Sequence, residues 1–267
     1  MMAAFFTQLL NDNGFNAEYH RKNGSKSGVS FCNFLDVPVG EGENQFSFSY
    51  SEFGLPFNPT EDFMDTTIKF FKEWANYDEK LVIKTPYVPI KFTIDPTILP
   101  VDVVLVSDVG PYAITKKWPY FNELKKMLTD AQISFVDLND LGEQWASNPE
   151  LLHKINNLLY SCKVFVGLDT GAIHYASGIL AKKQKSKNFV IQSGFTLFSQ
   201  WSAHYNGLFQ PIEEKQSCAP CMLPNPTGKF NAVPQFNLPE RCELSHKCIK
   251  SISPERVFAY IKNNLKG

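Results

Sequence analysis

The stretch Val164-Phe165-Val166-Gly167-Leu168-Asp169-Thr170-Gly171-Ala172-Ile173-His174 joins a short apolar run to a helix-compatible segment. The apolar run is typical of a strand buried on both faces, and the residues after it favour a helix over Ala172 to Leu180. Backbone N–H groups at such a helix start lack partners within the helix, and the helix dipole adds about half a positive charge there. We therefore expect a diphosphate site at this junction.

Similar segments alternate on both sides of this stretch. Apolar, strand-like runs occur at Val103–Val106, Ile133–Leu138 and Phe189–Ile191, and helical spacing of apolar residues follows Trp118 and Asn148. Such alternation predicts an α/β protein with a parallel sheet and helices on both faces. Ligands of open parallel sheets bind at the carboxyl ends of the strands, where Asp169 and Thr170 would lie.

The residues around the predicted helix start suggest individual roles. Gly171 lets a ligand approach the backbone, Thr170 offers a hydroxyl, and His174 lies one turn further along the helix. Lys116 follows the Val103–Val106 run and could neutralise a phosphate from the same edge of the sheet. The alternative is that these residues have only structural roles: Asp169 caps the helix, His174 packs in the core, and Lys116 is a solvated charge.

The segment Leu168–Ala172 is also similar to the active-site loop of aspartic proteases, in which two carboxylates share a proton. Those sites need a second Asp-Thr/Ser-Gly or a dimer within an all-β fold. The flanking residues here favour α/β structure, and the chain holds no second copy. The protease therefore remains a remote alternative.

Four of the six cysteines form two close pairs, Cys218 with Cys221 and Cys242 with Cys248. Four thiolates at this spacing can surround one tetrahedral ion, and the proline-rich loop between them has little periodic structure of its own. We expect a structural Zn or Fe ion here, with His246 as a possible substitute ligand and two disulfides as the alternative. Cys32 and Cys162 are expected to be ordinary buried thiols.

Composition excludes several classes of protein. The chain has 267 residues, 43% of them hydrophobic, with 26 basic and 27 acidic side chains. This near-neutral balance argues against broad nucleic-acid binding, and no apolar run is long enough to cross a bilayer. Residues Met1–Leu10 make a poor signal peptide because no basic residue precedes the apolar part and no small-residue cleavage site follows it. We expect a cytoplasmic protein.

Several motifs together resemble glycosyltransferase family 9, the ADP-heptose:lipopolysaccharide heptosyltransferases and their relatives. In chain order, over residues 100–267, they are Lys116-Lys117-Trp118-Pro119, Val166–His174, Ser193-Gly194 with Trp201, the cysteine cluster, and Ile252–Val257. The resemblance implies a GT-B fold of two Rossmann-like domains, with the nucleotide sugar held mainly by the second. It places Asp169, Thr170, Gly171 and His174 around the donor diphosphate, with Lys116 on its other side.

The resemblance also implies an activity. A heptose or hexose would pass from a nucleotide diphosphate, with ADP as the expected nucleotide, to an acceptor hydroxyl with inversion. The acceptor would be a glycan, a lipid-linked glycan or a protein. The helix start and Lys116 would meet the leaving group's charge, so no catalytic divalent ion is expected.

The first hundred residues depart from the family pattern. Two prolines within Asp95–Pro100 suit a linker, so we expect a partial acceptor-side domain at 1–98 and a nucleotide-sugar domain at 99–267. The usual first strand and its Gly-x-Gly-Asp loop, the expected source of the general base, have no counterpart after Met1. Asp12 lies too far along its predicted helix to replace that base. Slow transfer is therefore expected, and the alternative is a catalytically silent nucleotide-sugar-binding or scaffold protein.

Overall fold

The structure is a computed structural model that describes residues 33–34, 46–47, 90, 92–109, 114–142, 148–183, 187–202, 205, 207–217, 219 and 245–265. Most of the predicted acceptor-side domain, 1–98, lies outside these residues, as do Asp12 and three of the four clustered cysteines. The structure describes the other predicted site residues, which are Lys116, Asp169, Thr170, Gly171, His174 and Cys248.

Seven strands and six α-helices are described. The strands are β1 (Asn33–Phe34), β2 (Phe46–Ser47), β3 (Val103–Val106), β4 (Phe135–Asp137), β5 (Val164–Leu168), β6 (Lys187–Gln192) and β7 (Gln210–Glu213). The helices are α1 (Phe121–Asp130), α2 (Pro149–Ser161), α3 (Gly171–Leu180), α4 (Ser199–Ser202), α5 (Lys247–Lys250) and α6 (Pro254–Leu265). Short 3-10 turns lie at Ile114–Lys116 and Leu138–Leu141, and β1 pairs with β2 in antiparallel fashion.

Strands β3 to β7 form one parallel sheet in the order β4-β3-β5-β6-β7. The α/β prediction with a parallel sheet is confirmed. The strand order reverses direction between β3 and β5, because β4 lies on one side of β3 while the later strands extend from the other. Open sheets of this type bind ligands in the crevice at such a switch point, beyond the carboxyl ends of the strands.

Helices cover both faces of this sheet. Successive side chains of β3 and β5 point to opposite faces and enter two separate apolar clusters. One cluster joins Val104 and Phe165 to α2 and α3, and the other joins Val103 and Val166 to α1 and α6. The central strands are therefore buried on both sides, as their continuous apolar runs predict.

Two elements differ from the sequence expectation. Helix α1 begins at Phe121 rather than at Trp118, and the Trp118 indole N–H instead donates to the carbonyl of Ile252 at 2.8 Å. Strand β7 was not expected, because its four residues are few and include Pro211, which lacks a backbone donor. Among the strands described, it lies at the edge of the sheet, where the missing donor of a proline is tolerated.

Residues 92–98 pack against α2. The Asp95 backbone N–H donates to Asn157 Oδ1 at 2.8 Å, and Asn157 Nδ2 donates to the carbonyl of Thr93 at 3.2 Å. Phe92 meets Tyr160 edge to face. The predicted domain boundary at residue 98 stays a prediction. Among the helices described, none has both the length and the apolar character needed to cross a membrane.

Candidate functional site

An ion pair between Lys116 and Asp169 lies at the switch point of the sheet. Lys116 ends the 3-10 turn that follows β3, and Asp169 comes directly after β5. Because β3 and β5 are neighbouring parallel strands, their carboxyl ends meet at the same edge. The Lys116 Nζ donates to Asp169 Oδ2 at 2.7 Å. The two residues, 53 positions apart in the chain, thus lie together, as expected for residues that follow neighbouring parallel strands.

The next lysine lies in a different environment. Lys117 Nζ pairs with Asp108 at 3.1 Å, and both side chains are about half exposed. The side chain of Lys116 is only 15% exposed. Of the two adjacent lysines, Lys116 therefore belongs to the site, and Lys117 is the solvated charge.

Thr196 is a member of this site that the sequence analysis missed. Its hydroxyl donates to Asp169 Oδ2 at 2.6 Å, the same oxygen that accepts from Lys116. The ring of Phe195 lies beside the pair, with its centroid 5.1 Å from Lys116 Nζ. A single threonine in a loop has no pattern that marks it, so only the fold reveals this contact.

Asp169 is a buried carboxylate that stays ionised. Burial by itself raises the pKa of its carboxyl group, because a charge is costly away from water. The charge of Lys116 and the hydrogen bonds from Lys116 and Thr196 act in the other direction and hold the pKa below its usual value. Within the described residues these are the hydrogen-bond partners of its side chain, so the alternative in which Asp169 caps α3 does not hold.

Helix α3 begins beside the ion pair without a side-chain cap. Thr170 is the cap residue, in an extended conformation, and its hydroxyl makes no capping hydrogen bond. That hydroxyl oxygen is buried and has no hydrogen-bond partner among the residues described, while Gly171 is exposed. By contrast, Asn148 Oδ1 caps α2 by accepting from the backbone N–H groups of Glu150 and Leu151. The start of α3 therefore keeps the anion-binding character of an uncapped helix.

His174 lies one turn into α3, within an aromatic cluster. Its Nδ1 is hydrogen-bonded to the Tyr205 hydroxyl at 2.5 Å, and the ring stacks on Tyr205 and meets Trp201 edge to face. Burial lowers the pKa of the ring, against an opposing effect of the Asp169 charge, and the charge of Lys116 lowers it further. His174 is therefore a neutral polar group at pH 7, and its contact with an anion remains a prediction.

Ala219 and Cys248 both lie close to Gly194. A methyl group at Gly194 would lie 3.3 Å from the Cβ of Ala219 and 3.4 Å from the Sγ of Cys248. Ala219 lies between Cys218 and Cys221 in the sequence, and Cys248 is a member of the second pair, so one described residue from each cysteine segment lies beside Gly194. The residues described contain no group of three or more metal-binding side chains, and Cys218, Cys221 and Cys242 lie outside them. The predicted metal site stays a prediction.

The aspartic-protease alternative does not fit this geometry. Asp169 follows a parallel strand and precedes a helix, and a lysine stands where a protease would need its second carboxylate. A carboxylate paired with an ammonium group cannot share a proton with another carboxylate in the way those enzymes require.

The chain matches no protein-family model, and no curated protein matches it significantly. Several solved structures are similar to part of it, among them the following three. ADP-heptose LPS heptosyltransferase II of E. coli is 14% identical and covers 72% of this chain and 56% of its own, with a TM-score of 0.42. The bacterial iron-containing dodecameric glycosyltransferase TibC of enterotoxigenic E. coli is 16% identical and covers 67% of this chain and 50% of its own, with a TM-score of 0.46.

The third structure is the dodecameric iron-containing heptosyltransferase TibC in complex with ADP-D-β-D-heptose. It is 15% identical to this chain, covers 67% of it and 48% of its own length, and has a TM-score of 0.46. The chain spans about half the length of the solved structures that it matches.

Proposed function

We propose that this protein binds a nucleotide-diphosphate sugar and transfers the heptose or hexose to an acceptor hydroxyl with inversion. The observation that carries the proposal is the meeting of Lys116 with the uncapped start of α3 at the switch point of a parallel sheet. The motif resemblance supplies the donor class, with ADP as the favoured nucleotide. The diphosphate would lie against the N–H groups at Gly171 and Ala172, with Lys116 beside it.

The charges at the site suit this role. Asp169 balances the charge of Lys116, so the positive potential of the helix start is what remains to attract an anion. Nζ of Lys116 has two further hydrogens with which to bind phosphate oxygens. During transfer the diphosphate gains negative charge as the sugar leaves, and donors fixed in advance stabilise that charge most effectively.

Asp169 is a poor candidate for the general base. A carboxylate whose pKa is held below the usual value is a weak base, and efficient proton transfer needs a pKa near the operating pH. We therefore assign Asp169 to the support of Lys116. The base that accepts the proton of the acceptor hydroxyl would be another residue.

A second candidate function is nucleotide-sugar binding without transfer. The described aspartates at the carboxyl edge of β3, β4 and β5 are each paired with a lysine: Asp108 with Lys117, Asp137 with Lys125 and Asp169 with Lys116. Within the residues described, this edge thus offers no unpaired aspartate as a base. Release of ADP from an ADP-sugar in the presence of an acceptor would distinguish transfer from binding alone.

Calorimetry with ADP tests the binding proposal. Lys116→Met should weaken binding by about 10- to 100-fold, because a hydrogen bond to a charged group is worth roughly 1.5–3 kcal/mol. Gly171→Asp should abolish binding, because it puts a negative charge at the helix start. Lys117→Met is the matched control and should bind ADP as the unaltered protein does. Unchanged binding in folded Lys116→Met and Gly171→Asp protein would overturn the assignment.

We also propose that Cys218, Cys221, Cys242 and Cys248 hold one structural Zn or Fe ion. The approach of Ala219 and Cys248 to the same position at Gly194 supports this. Such an ion would fix the loop between the two pairs and would take no part in the transfer.

A further inference from the structure

Local hydrogen bonds stabilise the loop after β6, residues Ser193–Phe198. We refer to it as the β6 loop. Gln192, the last residue of β6, is buried, and its Nε2 donates to the carbonyls of Ser193 and Thr196 at 3.1 and 2.8 Å. A third bond runs from the Phe195 backbone N–H to Ser193 Oγ at 3.3 Å. The two bonds from Gln192 hold the backbone of the loop on either side of Phe195.

Within this loop, Thr196 forms one link in a directed series of hydrogen bonds. Gln192 Nε2 also lies 3.2 Å from Thr196 Oγ1, to which it donates. The hydroxyl hydrogen of Thr196 is then used toward Asp169 Oδ2 at 2.6 Å. Thr196 is 3% exposed, so its side chain is shielded from bulk water. The series ends at this carboxylate oxygen, which also accepts a hydrogen bond from Lys116, the proposed phosphate-binding lysine.

The β6 loop also contacts Lys116 directly. The Phe195 ring centroid lies 5.1 Å from Lys116 Nζ, a distance at which a cation interacts with an aromatic face. Consecutive residues of one loop therefore touch both members of the ion pair. A lysine side chain has four rotatable methylene groups, and its ammonium stays over one spot only when its surroundings hold it there.

We propose that Thr196 is a positioning residue of the nucleotide site, whose hydroxyl fixes the Asp169 carboxylate and thereby keeps the Lys116 ammonium beside the start of α3. This inference rests on the proposed function for its ligand, a nucleoside diphosphate. Without the hydroxyl, the carboxylate is free to turn about its Cβ–Cγ bond and Lys116 follows it. Because the lysine then has to be ordered again on binding, affinity for the diphosphate falls.

Full-length Thr196→Val, Thr196→Ser and Ser193→Ala variants test this. Valine keeps the shape of threonine without the hydroxyl, and serine keeps the hydroxyl. Ser193→Ala removes a hydrogen bond of the same loop that does not involve Asp169. The measurements are the Kd for ADP by calorimetry and the titration of the Asp169 carboxyl group by NMR.

In Thr196→Val, ADP binding should weaken roughly tenfold and the pKa of Asp169 should rise, because a donor to the charged form is lost. Thr196→Ser should restore both values, and Ser193→Ala should change neither. Equal ADP binding in Thr196→Val and the unaltered protein, or equal losses in Thr196→Ser and Thr196→Val, would overturn the inference. Thr196→Ala replaces Thr196→Val if the valine variant does not fold.

The NMR measurement separates this inference from the proposed function. If the unaltered protein does not bind ADP, the nucleotide site is wrong. A raised Asp169 pKa in Thr196→Val, restored in Thr196→Ser, would then still show that Thr196 sets the state of the ion pair. An unchanged Asp169 pKa in Thr196→Val would overturn the positioning role whether or not ADP binds.

Discussion

At the Lys116–Asp169 pair, the two side chains are 15% and 8% exposed, and their charged atoms lie 2.7 Å apart. Two charges removed from water at this depth are costly, and their mutual attraction offsets that cost only while both are present. Removal of one partner leaves the other charged and buried. The pair is therefore energetically coupled, and each residue's contribution depends on the other.

We expect Lys116→Met to lower the free energy of unfolding by about 3–5 kcal/mol at pH 7. Asp169→Asn should also destabilise the protein, since it leaves Lys116 without its counter-charge. The double variant should lose clearly less than the sum of the two single losses, because it removes both charges. Urea unfolding of the four proteins measures this cycle, and additive losses would show that the pair is not coupled.

The stabilisation by the Lys116–Asp169 pair depends on pH. The folded-state pKa of Asp169 is held below its unfolded value of about 3.9, so its contribution to stability is fully present above that value. The contribution is lost as the pH falls through the lower, folded-state pKa. The stability difference between the unaltered protein and the double variant should therefore be constant from pH 7 to about 5 and should shrink below about pH 4.

At the scale of elements, the β6 loop contacts the ion pair on one side and Ala219 and Cys248 on the other. Phe195 and Thr196 contact the pair, while Gly194 faces Ala219 and Cys248. A side chain larger than hydrogen at Gly194 would press on both cysteine segments at 3.3–3.4 Å. The absence of a side chain at Gly194 therefore leaves room for Ala219 and Cys248.

Elemental analysis of reduced, purified protein should find about one Zn or Fe per chain. Cys221→Ser should lower both the metal content and the melting temperature, because the ion fixes the loop that carries its ligands. Cys162→Ser is the matched control: Cys162 is buried at the end of α2, and its Sγ donates to the carbonyl of Leu159 at 3.3 Å. The metal content of the Cys162→Ser variant should equal that of the unaltered protein. Metal-free protein with two intact disulfides would show that the cysteines do different chemistry.

The sequence predicts those elements whose residues repeat or occur in a run. Apolar runs identify β3 and β5, and the Asn148-Pro149 pair identifies the start of α2, where the Asn148 cap is observed. Strand β7 has no such signal, because Pro211 interrupts a short segment. Helix α1 begins three residues after Trp118, whose indole donates to the carbonyl of Ile252, a contact 134 residues away that local sequence cannot show.

In the candidate site, too, contacts between residues far apart in the chain could not be predicted from the sequence. Lys116 and Asp169 could be placed at one edge because both follow buried strands, and the rule for parallel sheets brings strand ends together. Their direct ion pair, and the bond from Thr196, depend on side-chain geometry across 53 and 27 residues. His174 could be placed near the helix start, but its hydrogen bond to Tyr205 depends on the later fold.

At the scale of the whole described domain, α1 and α6 share one apolar cluster, to which Trp118 and Ile252 also belong. The Trp118 indole connects the segment after β3 to the chain just before α6. Lys116 precedes Trp118 by two residues, so the position of the lysine depends on packing against the far end of the sequence.

Trp118→Phe should lower the free energy of unfolding by about 1–3 kcal/mol, because the buried Ile252 carbonyl loses its donor and the smaller ring leaves a gap. ADP binding should weaken as well, since Lys116 loses its neighbouring anchor. Thermal unfolding and calorimetry measure the two effects. Tyr120→Phe, which keeps the ring that meets Trp118 edge to face, is the control. A Trp118→Phe variant as stable as the control would show that this connection is unimportant.

The hydrogen bond between Trp118 and Ile252 joins two residues that the ribosome adds at widely separated times. A ribosome adds about 5–20 residues per second, so the 134 residues between the two take roughly 7–27 s to be made. During that time the nascent chain has β3, Lys116 and α1 but lacks the partner that covers Trp118. The exposed indole and the apolar face of α1 are then open to chaperones and to neighbouring nascent chains. The segment that carries Lys116 reaches its final place only after α6 has left the exit tunnel.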